Sequence, residues 1–224
     1  MILDLTLDNF KSFFGVDDSS SLRGPTIRFG GFSLIIGANA SGKSNLRDGL
    51  RFIHAVSRGY TLPEIFGGKY GEGGELQWKG IRGGVREAVT RNSNSGEDKF
   101  TINVRTRFED EAGVGTADYT ITVDIGGRSW PPSVFHESLI LSRRSTASFE
   151  TGQVDDIAPG VIEIRLREAS GRTPGLVLGL PSDRPAITQL PENDNCPEEL
   201  KKDCKAFLRT SSQRSVLTGR SSCN

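Results

Sequence analysis

The run Phe32-Ser33-Leu34-Ile35-Ile36 leads directly into Gly37-Ala38-Asn39-Ala40-Ser41-Gly42-Lys43-Ser44, and a helical period begins at once behind it. Leu46, Leu50 and Ile53 recur at i, i+4 and i+7, flanked by Phe52 and Val56, which predicts a helix over 44–58 closing near Arg58-Gly59. The apolar run before the glycines predicts a short strand buried on both faces. Strand, glycine-bounded loop and helix in this order fix much of what the chain can become. They place a tight βα turn, with its backbone amides, at the N-terminus of an amphipathic helix.

That turn has the composition of a phosphate cradle. Gly37-x-x-x-x-Gly42-Lys43-Ser44 fits the Walker A pattern in full. Glycines stand where backbone must crowd a phosphate or take positive φ. Successive N–H groups then wrap a β-phosphate, and the helix adds the positive end of its dipole. In this reading Lys43 reaches the β/γ oxygens and the Ser44 hydroxyl coordinates Mg²⁺. The candidate ligands are ATP and Mg²⁺, held by Gly37, Ala38, Asn39, Ala40, Ser41, Gly42, Lys43, Ser44 and Asn45, with Ser44 on the metal. A glycine-rich βα turn that binds nothing is the alternative, and the strand before and helix after weigh against it.

The rest of the chain is mostly strand. Leu3, Leu5 and Leu7 alternate with Asp4, Thr6 and Asp8, and Thr26 to Phe29 forms a second short strand. A polar loop through Ser21 lies between them. Residues 60–84 read as glycine-rich and irregular. Alternation then returns at Phe100/Ile102/Val104, Tyr119/Ile121/Val123 and Ile162/Ile164/Leu166, with another strand suggested by Leu139 and Leu141. Gly126-Gly127 and Pro159-Gly160 separate these runs. The expectation is an antiparallel β-rich section over 98–180, a last helix from Pro197 to Leu208, one lobe over 1–208, and a patternless tail over 209–224 read as disordered.

Composition narrows the function classes. Lys and Arg number 28 against 28 Asp and Glu, so a DNA contact would have to come from a local basic patch rather than a global field. No apolar run nears the roughly 20 residues that span a bilayer, and the N-terminus has no basic leader. The three cysteines, Cys196, Cys204 and Cys223, form no CxxC pair, so a zinc site is not expected and a reducing cytoplasm is. His54 and His136 stand apart from acids and cysteines and read as ordinary surface or half-buried residues.

The loop "GANASGKSN", together with "LDNFKSFFG" near the N-terminus, resembles the heads of ABC-type ATPases related to RecF, SMC and the OLD nucleases, often grouped as AAA family ATPases. The resemblance covers residues 1 to about 110 and fades beyond. It implies an α/β P-loop NTPase, the N-terminal lobe of an ABC-ATPase head, that in full-length form dimerises head to head and couples ATP to DNA maintenance, repair or defence. It also implies that Lys11 and Ser12, in Asn9-Phe10-Lys11-Ser12-Phe13, touch nucleotide phosphates or ribose. The residues alone leave open a solvated turn after an edge strand. "IRGG" at 81–84 is similar to an SMC-head loop whose arginine approaches nucleotide or DNA, which points to Arg82. A surface arginine in a flexible loop is the other reading.

Hydrolysis in such heads needs an acid after four apolar residues, Asp-Glu, and a Ser-Gly-Gly signature. Leu176-Val177-Leu178 ends in Gly179, Thr120-Ile121-Thr122-Val123-Asp124 ends in Ile125, and Leu141-Ser142-Arg143-Arg144 lacks the glycines. No catalytic acid is assigned; Asp124 and Glu163 are the first to examine. "CKAFLR" reads like the helix that enters a following section, so the chain looks like one lobe without its second. Two further readings stay open: a non-catalytic nucleotide-binding module that docks on a partner supplying the acid, and a truncated product without independent activity.

Overall fold

The structure, a computed structural model, describes residues 1–14, 24–90, 98–110, 113–126, 131–142, 147–152, 160–166 and 177–212. The loop through Ser21, Gly127, Pro159, Arg143, Arg144 and the tail from 213 lie outside these residues. The elements are strands β1 (Ile2–Asp8) and β2 (Thr26–Arg28), helices α1 (Lys43–Ser57) and α2 (Leu62–Gly67), and a small hairpin of β3 (Lys69–Tyr70) and β4 (Leu76–Trp78). Strands β5 (Lys99–Asp110), β6 (Gly113–Asp124), β7 (Ser133–Leu141), β8 (Ala147–Gly152), β9 (Val161–Leu166) and β10 (Val177–Pro181) follow. Helices α3 (Ala186–Gln189) and α4 (Glu198–Ser212) close the described chain.

Eight strands form one sheet in the order β10-β9-β8-β7-β6-β5-β1-β2. Every described pairing in it is antiparallel, so the fold is mixed α/β with a large antiparallel sheet. The period-two pattern does its work on β6, where Ala117, Tyr119, Ile121 and Val123 face the core and the residues between them are half-exposed. That outer face is held by polar cross-strand pairs. Thr101 and Thr122 hydroxyls lie 2.8 Å apart, and Asn103 Nδ2 donates to the Thr120 hydroxyl at 2.9 Å.

Helices α1 and α4 cover the buried face. Phe10, Phe52 and Phe66 gather around Phe100, with ring centroids 5.1, 5.6 and 6.2 Å from it. Helix α1 lies so close to β1 that a Cβ on Gly49 would sit 2.8 Å from a Leu7 methyl, which is why a glycine stands in mid-helix. On α4, Phe207 packs on Tyr119 at 4.8 Å and Cys204 is fully buried, so one face of "CKAFLR" belongs to the core. The helix also continues to Ser212, past the 208 boundary expected from sequence, with Ser211 still buried and the Thr210 and Ser212 hydroxyls bonded to the Ala206 and Arg209 carbonyls.

Two expectations are overturned. Residues 60–84 are not irregular throughout. Thr61 and Glu64 form a reciprocal capping box that starts α2 behind Pro63, and β3 and β4 pair beyond it. The second correction is larger: Phe32–Ile36 is not a buried strand. It forms no strand, and Phe32, Leu34 and Ile36 are 87, 73 and 81 % exposed. The segment leaves the sheet after the three-residue edge strand β2 and lines a shallow groove of about 410 Å³ with Ile27, Arg28 and Phe29. Hydrophobicity alone cannot bury a segment; another layer must cover it.

That correction has a direct test. Phe32→Ser or Ile36→Ser should change unfolding free energy by no more than about 0.5 kcal/mol, as at other surface positions. A strand buried on both faces would lose about 2–5 kcal/mol at each site. Urea titration of each variant decides between them.

A second test concerns Glu137, wholly buried on β7. Its carboxylate accepts from the Ala186 and Ile187 amides at 2.6 and 2.9 Å and from the Tyr119 hydroxyl at 2.9 Å. Burial outweighs these donors and pushes its pKa up to about 7. The folded value lies above the unfolded one, so this group's stabilisation is full below the usual carboxylate range and is lost as pH rises through about 7. Denaturation midpoints measured from pH 4 to 8 should fall across that window, and Glu137→Gln should flatten the fall.

Candidate functional site

Strand β1 delivers the chain into a tight turn at Asn9-Phe10-Lys11-Ser12-Phe13. Phe10 is the anchor, buried against Phe100, and the backbone doubles back around it with Asn9 and Lys11 at φ 52° and 54°. Left-handed backbone is unfavourable for residues with a Cβ, so the turn must be held from outside. It is: the Lys11 amide donates to the Ala88 carbonyl at 2.8 Å, the Thr90 amide to the Asn9 carbonyl at 3.1 Å, and Asn9 Nδ2 to the Lys99 carbonyl at 2.6 Å.

The turn lies against the start of α1. A Cβ on Gly42 would meet the Phe13 ring and the Ser12 hydroxyl at 3.6 Å. Gly42 is itself the N-cap of α1, in left-handed backbone at φ 89°, and Ala40 stands at φ 65°. No side chain caps this end, and no acid lies in the first turn. The Asn45 and Leu46 amides both donate to the Gly42 carbonyl at 2.9 Å, so the donors this helix end can offer a ligand are the Lys43 and Ser44 amides, and left-handed backbone at Ala40 and Gly42 bends the loop around them. At Gly37 a Cβ would stand 2.6 Å from the Ser41 hydroxyl, so a larger residue there would make the Ser41 side chain turn away.

Lys43 sits in the curve of this loop. Its ammonium donates to the Gly37 and Ala38 carbonyls at 2.5 Å each and lies 3.3 Å from the Ser41 hydroxyl. Ser44 is exposed one residue into the helix, where its hydroxyl is available to a cation. The loop, the uncapped helix end, the lysine and the hydroxyl together fit a nucleoside phosphate and Mg²⁺.

The outlying candidates converge on the same helix end. Asn45 Nδ2 donates to the Ser12 hydroxyl at 2.7 Å, and Arg82 Nη2 donates to Asn45 Oδ1 at 2.6 Å. Lys11 is also close but occupied: its ammonium donates to the Arg82 carbonyl at 2.5 Å and pairs with Asp48 Oδ2 at 3.1 Å. Lys11 is therefore buried at the base of the site, Ser12 lies at its edge, and Arg82 remains 54 % exposed at its rim. Asp48 was not singled out from the sequence. A lone acid one turn beyond Ser44, on the core side of a helix otherwise rich in arginine, is the signal that could have found it.

Asp48 is fully buried and is compensated by Lys11, by Arg82 at 3.4 Å and by Arg51 at 3.9 Å. Arg51 also donates to the Gly80 carbonyl at 3.0 Å and stacks over Trp78 at 4.6 Å; burial lowers its pKa, against which Asp48 acts. Of the two acids held in reserve, one lies far across the sheet and the other is engaged at the end of β6. Glu163 is on β9, five strands from β1 and so about 24 Å away at ordinary strand spacing. Asp124 ends β6, where it accepts from the Gly126 amide at 2.9 Å and faces Lys99 at 3.9 Å. Among the described residues no cluster of His, Cys, Asp and Glu could hold a metal.

The buried pair makes a prediction. Lys11→Ala leaves Asp48 short of its nearest cation and should cost about 3–5 kcal/mol of stability by denaturant titration, whereas Arg82→Ala, at the exposed rim, should cost far less.

No curated protein matches the chain. A family model described as an AAA domain, putative AbiEii toxin, Type IV TA system, matches residues 32–168, more than half of the chain, beginning with the apolar run and taking in the phosphate loop, α1 and the rim arginine. The chain therefore belongs to this family of AAA-type P-loop ATPase domains.

Proposed function

We propose that this chain is the ATP-binding lobe of a RecF/SMC-like ATPase. The loop 37–44 would hold the β- and γ-phosphates of ATP, Lys43 would exchange the Gly37 and Ala38 carbonyls for phosphate oxygens, and the Ser44 hydroxyl would help hold Mg²⁺. The observation that carries this reading is the coincidence, at the uncapped start of α1, of the lysine, the exposed Ser44 hydroxyl and the rim arginine. Mg²⁺, when bound, would supply charge neutralisation to the phosphates, and the chain's own groups would bind and orient the triphosphate.

The exposed apolar run favours a site that is completed elsewhere. Phe32, Leu34 and Ile36 lead straight into the cradle with their side chains uncovered, beside the edge strand β2. A second lobe, or a partner chain carrying the catalytic acid, would cover them. The partner version is the second reading, a nucleotide-binding module without turnover of its own. In the full assembly the lobe would dimerise head to head in the cytoplasm and couple nucleotide to DNA maintenance, repair or defence. The exposed Arg47 on α1, with Arg82 and Arg86, would supply the local positive charge that DNA needs. Among the described residues no helix is long and apolar enough to cross a membrane.

Titration calorimetry tests the core of the proposal. Mg²⁺ with ATP or ADP should bind the chain, and Lys43→Ala should weaken binding at least ten-fold, roughly the worth of one charge-assisted contact. Equal affinities would refute the cradle. Phosphate release by the chain alone, with and without DNA, should stay at background, because no run of four apolar residues followed by Asp-Glu is present to orient water. Robust turnover lost in Lys43→Ala would overturn the need for a second lobe.

A further inference from the structure

Lys11, Arg51 and Arg82 come from three separate segments, yet all turn toward one carboxylate, Asp48. Electrostatics does not favour gathering cations here. The first turn of α1 carries the positive end of the helix dipole, and Lys43 already adds a charge. The Arg82 guanidinium is nonetheless held over that turn. Its Nη2 donates to Asn45 Oδ1 at 2.6 Å and lies 3.4 Å from Asp48 Oδ2. Asn45 directly follows Ser44, so this fork of donors stands one residue beyond the cradle, with its side chain more than half exposed. The oxygens of Asp48 are buried and reach no hydrogen-bond donor with good geometry, so ion pairing alone fixes the carboxylate among its cations.

We propose that Asp48 is a positioning residue of the nucleotide site: its buried carboxylate holds the Arg82 guanidinium against the repulsion of the α1 N-terminus and so presents it to the phosphates of a bound nucleoside triphosphate. This rests on nucleotide binding at residues 37–44. Asp48 touches no ligand itself. It acts through Arg82, while Lys11, bound to both Asp48 and the Arg82 carbonyl, fixes the backbone from which the arginine projects.

The sign of one measurement separates this role from the alternatives. As a bare negative charge near the cradle, Asp48 opposes phosphate, and removing it would tighten binding. As a purely structural group, its loss would lower the melting temperature and leave the affinity of the folded protein unchanged. As a positioning residue, its loss weakens binding.

The experiment titrates Mg²⁺-ATP and Mg²⁺-ADP into the full chain as wild type, Asp48→Asn, Arg82→Ala and the double variant, with thermal unfolding recorded on the same preparations. Each single substitution should weaken affinity about ten-fold, the worth of one charge-assisted hydrogen bond. The double variant should be no weaker than Arg82→Ala. Unchanged or tighter binding by Asp48→Asn, or losses that multiply in the double variant, overturn the proposal. Should Asp48→Asn not fold, the exposed Arg82 position still decides. A ten-fold loss in Arg82→Ala that Arg82→Lys fails to restore supports positioning, because one ammonium cannot bridge Asn45 and Asp48; unchanged affinity overturns it. Absence of binding by the wild type overturns both this inference and the cradle. Binding that Lys43→Ala abolishes but the Asp48 and Arg82 variants leave intact overturns this inference alone.

Discussion

A single buried carboxylate, Asp48, sets the relative placement of everything around the phosphate loop. Taking an isolated charge out of water costs several kcal/mol, so Asp48 is tolerable only while cations stay against it. Those cations belong to the turn after β1, to α1 itself and to the loop at 81–84. Segments more than thirty residues apart in sequence are thus bound to one helix by a requirement, not by a preference. The strained backbone of Asn9 and Lys11 is affordable in this setting, because the lysine it aims inward has a partner that nothing else replaces.

The sheet has the opposite character at its other boundary. From β9 to β1 each strand is paired on both sides, but the edge strand β2 spans only three residues, and the apolar run beyond it stays in the open. Exposed edges beside apolar side chains invite pairing with another chain. Here that region runs straight into the phosphate loop. Whatever covers Phe32, Leu34 and Ile36 also approaches Gly37, because Ile36 adjoins it directly in the chain, so coverage of the edge and the surroundings of the loop are coupled.

Much of this was legible in the sequence, for physical reasons that differ by element. Period-two alternation on β6 and the i, i+4, i+7 spacing on α1 are local signals, and the elements form where they predict. In the Gly-x-x-x-x-Gly-Lys-Ser loop the second glycine has a local steric reason that sequence can carry, since Gly42 caps α1 in left-handed backbone at φ 89°. Helix α2 was missed although its signal, Thr61 with Glu64 around Pro63, stood in plain view; the surrounding glycines masked it. The apolar run at 32–36 was misread because its composition reports a tendency to be buried, while burial itself depends on a second surface. Asp48 was passed over because an acid on a helix ordinarily faces water, and only the fold shows it facing inward.

Asp48 and Glu137 show two solutions to the same problem. Both are wholly buried acids. Glu137 is compensated by neutral donors alone, the Ala186 and Ile187 amides and the Tyr119 hydroxyl, and burial raises its pKa to about 7. Those donors are fixed in the core between β6, β7 and α3, and no solute can exchange with them. Asp48 is compensated by full charges, one of which, Arg82, reaches solvent. A dissolved anion can therefore reach the exposed side of the Arg82 guanidinium while Asn45 and Asp48 keep it in place and Lys11 and Arg51 share the compensation of Asp48. The fold places its closed solution in the core and its solvent-facing one at the phosphate loop, where a held charge can meet a ligand.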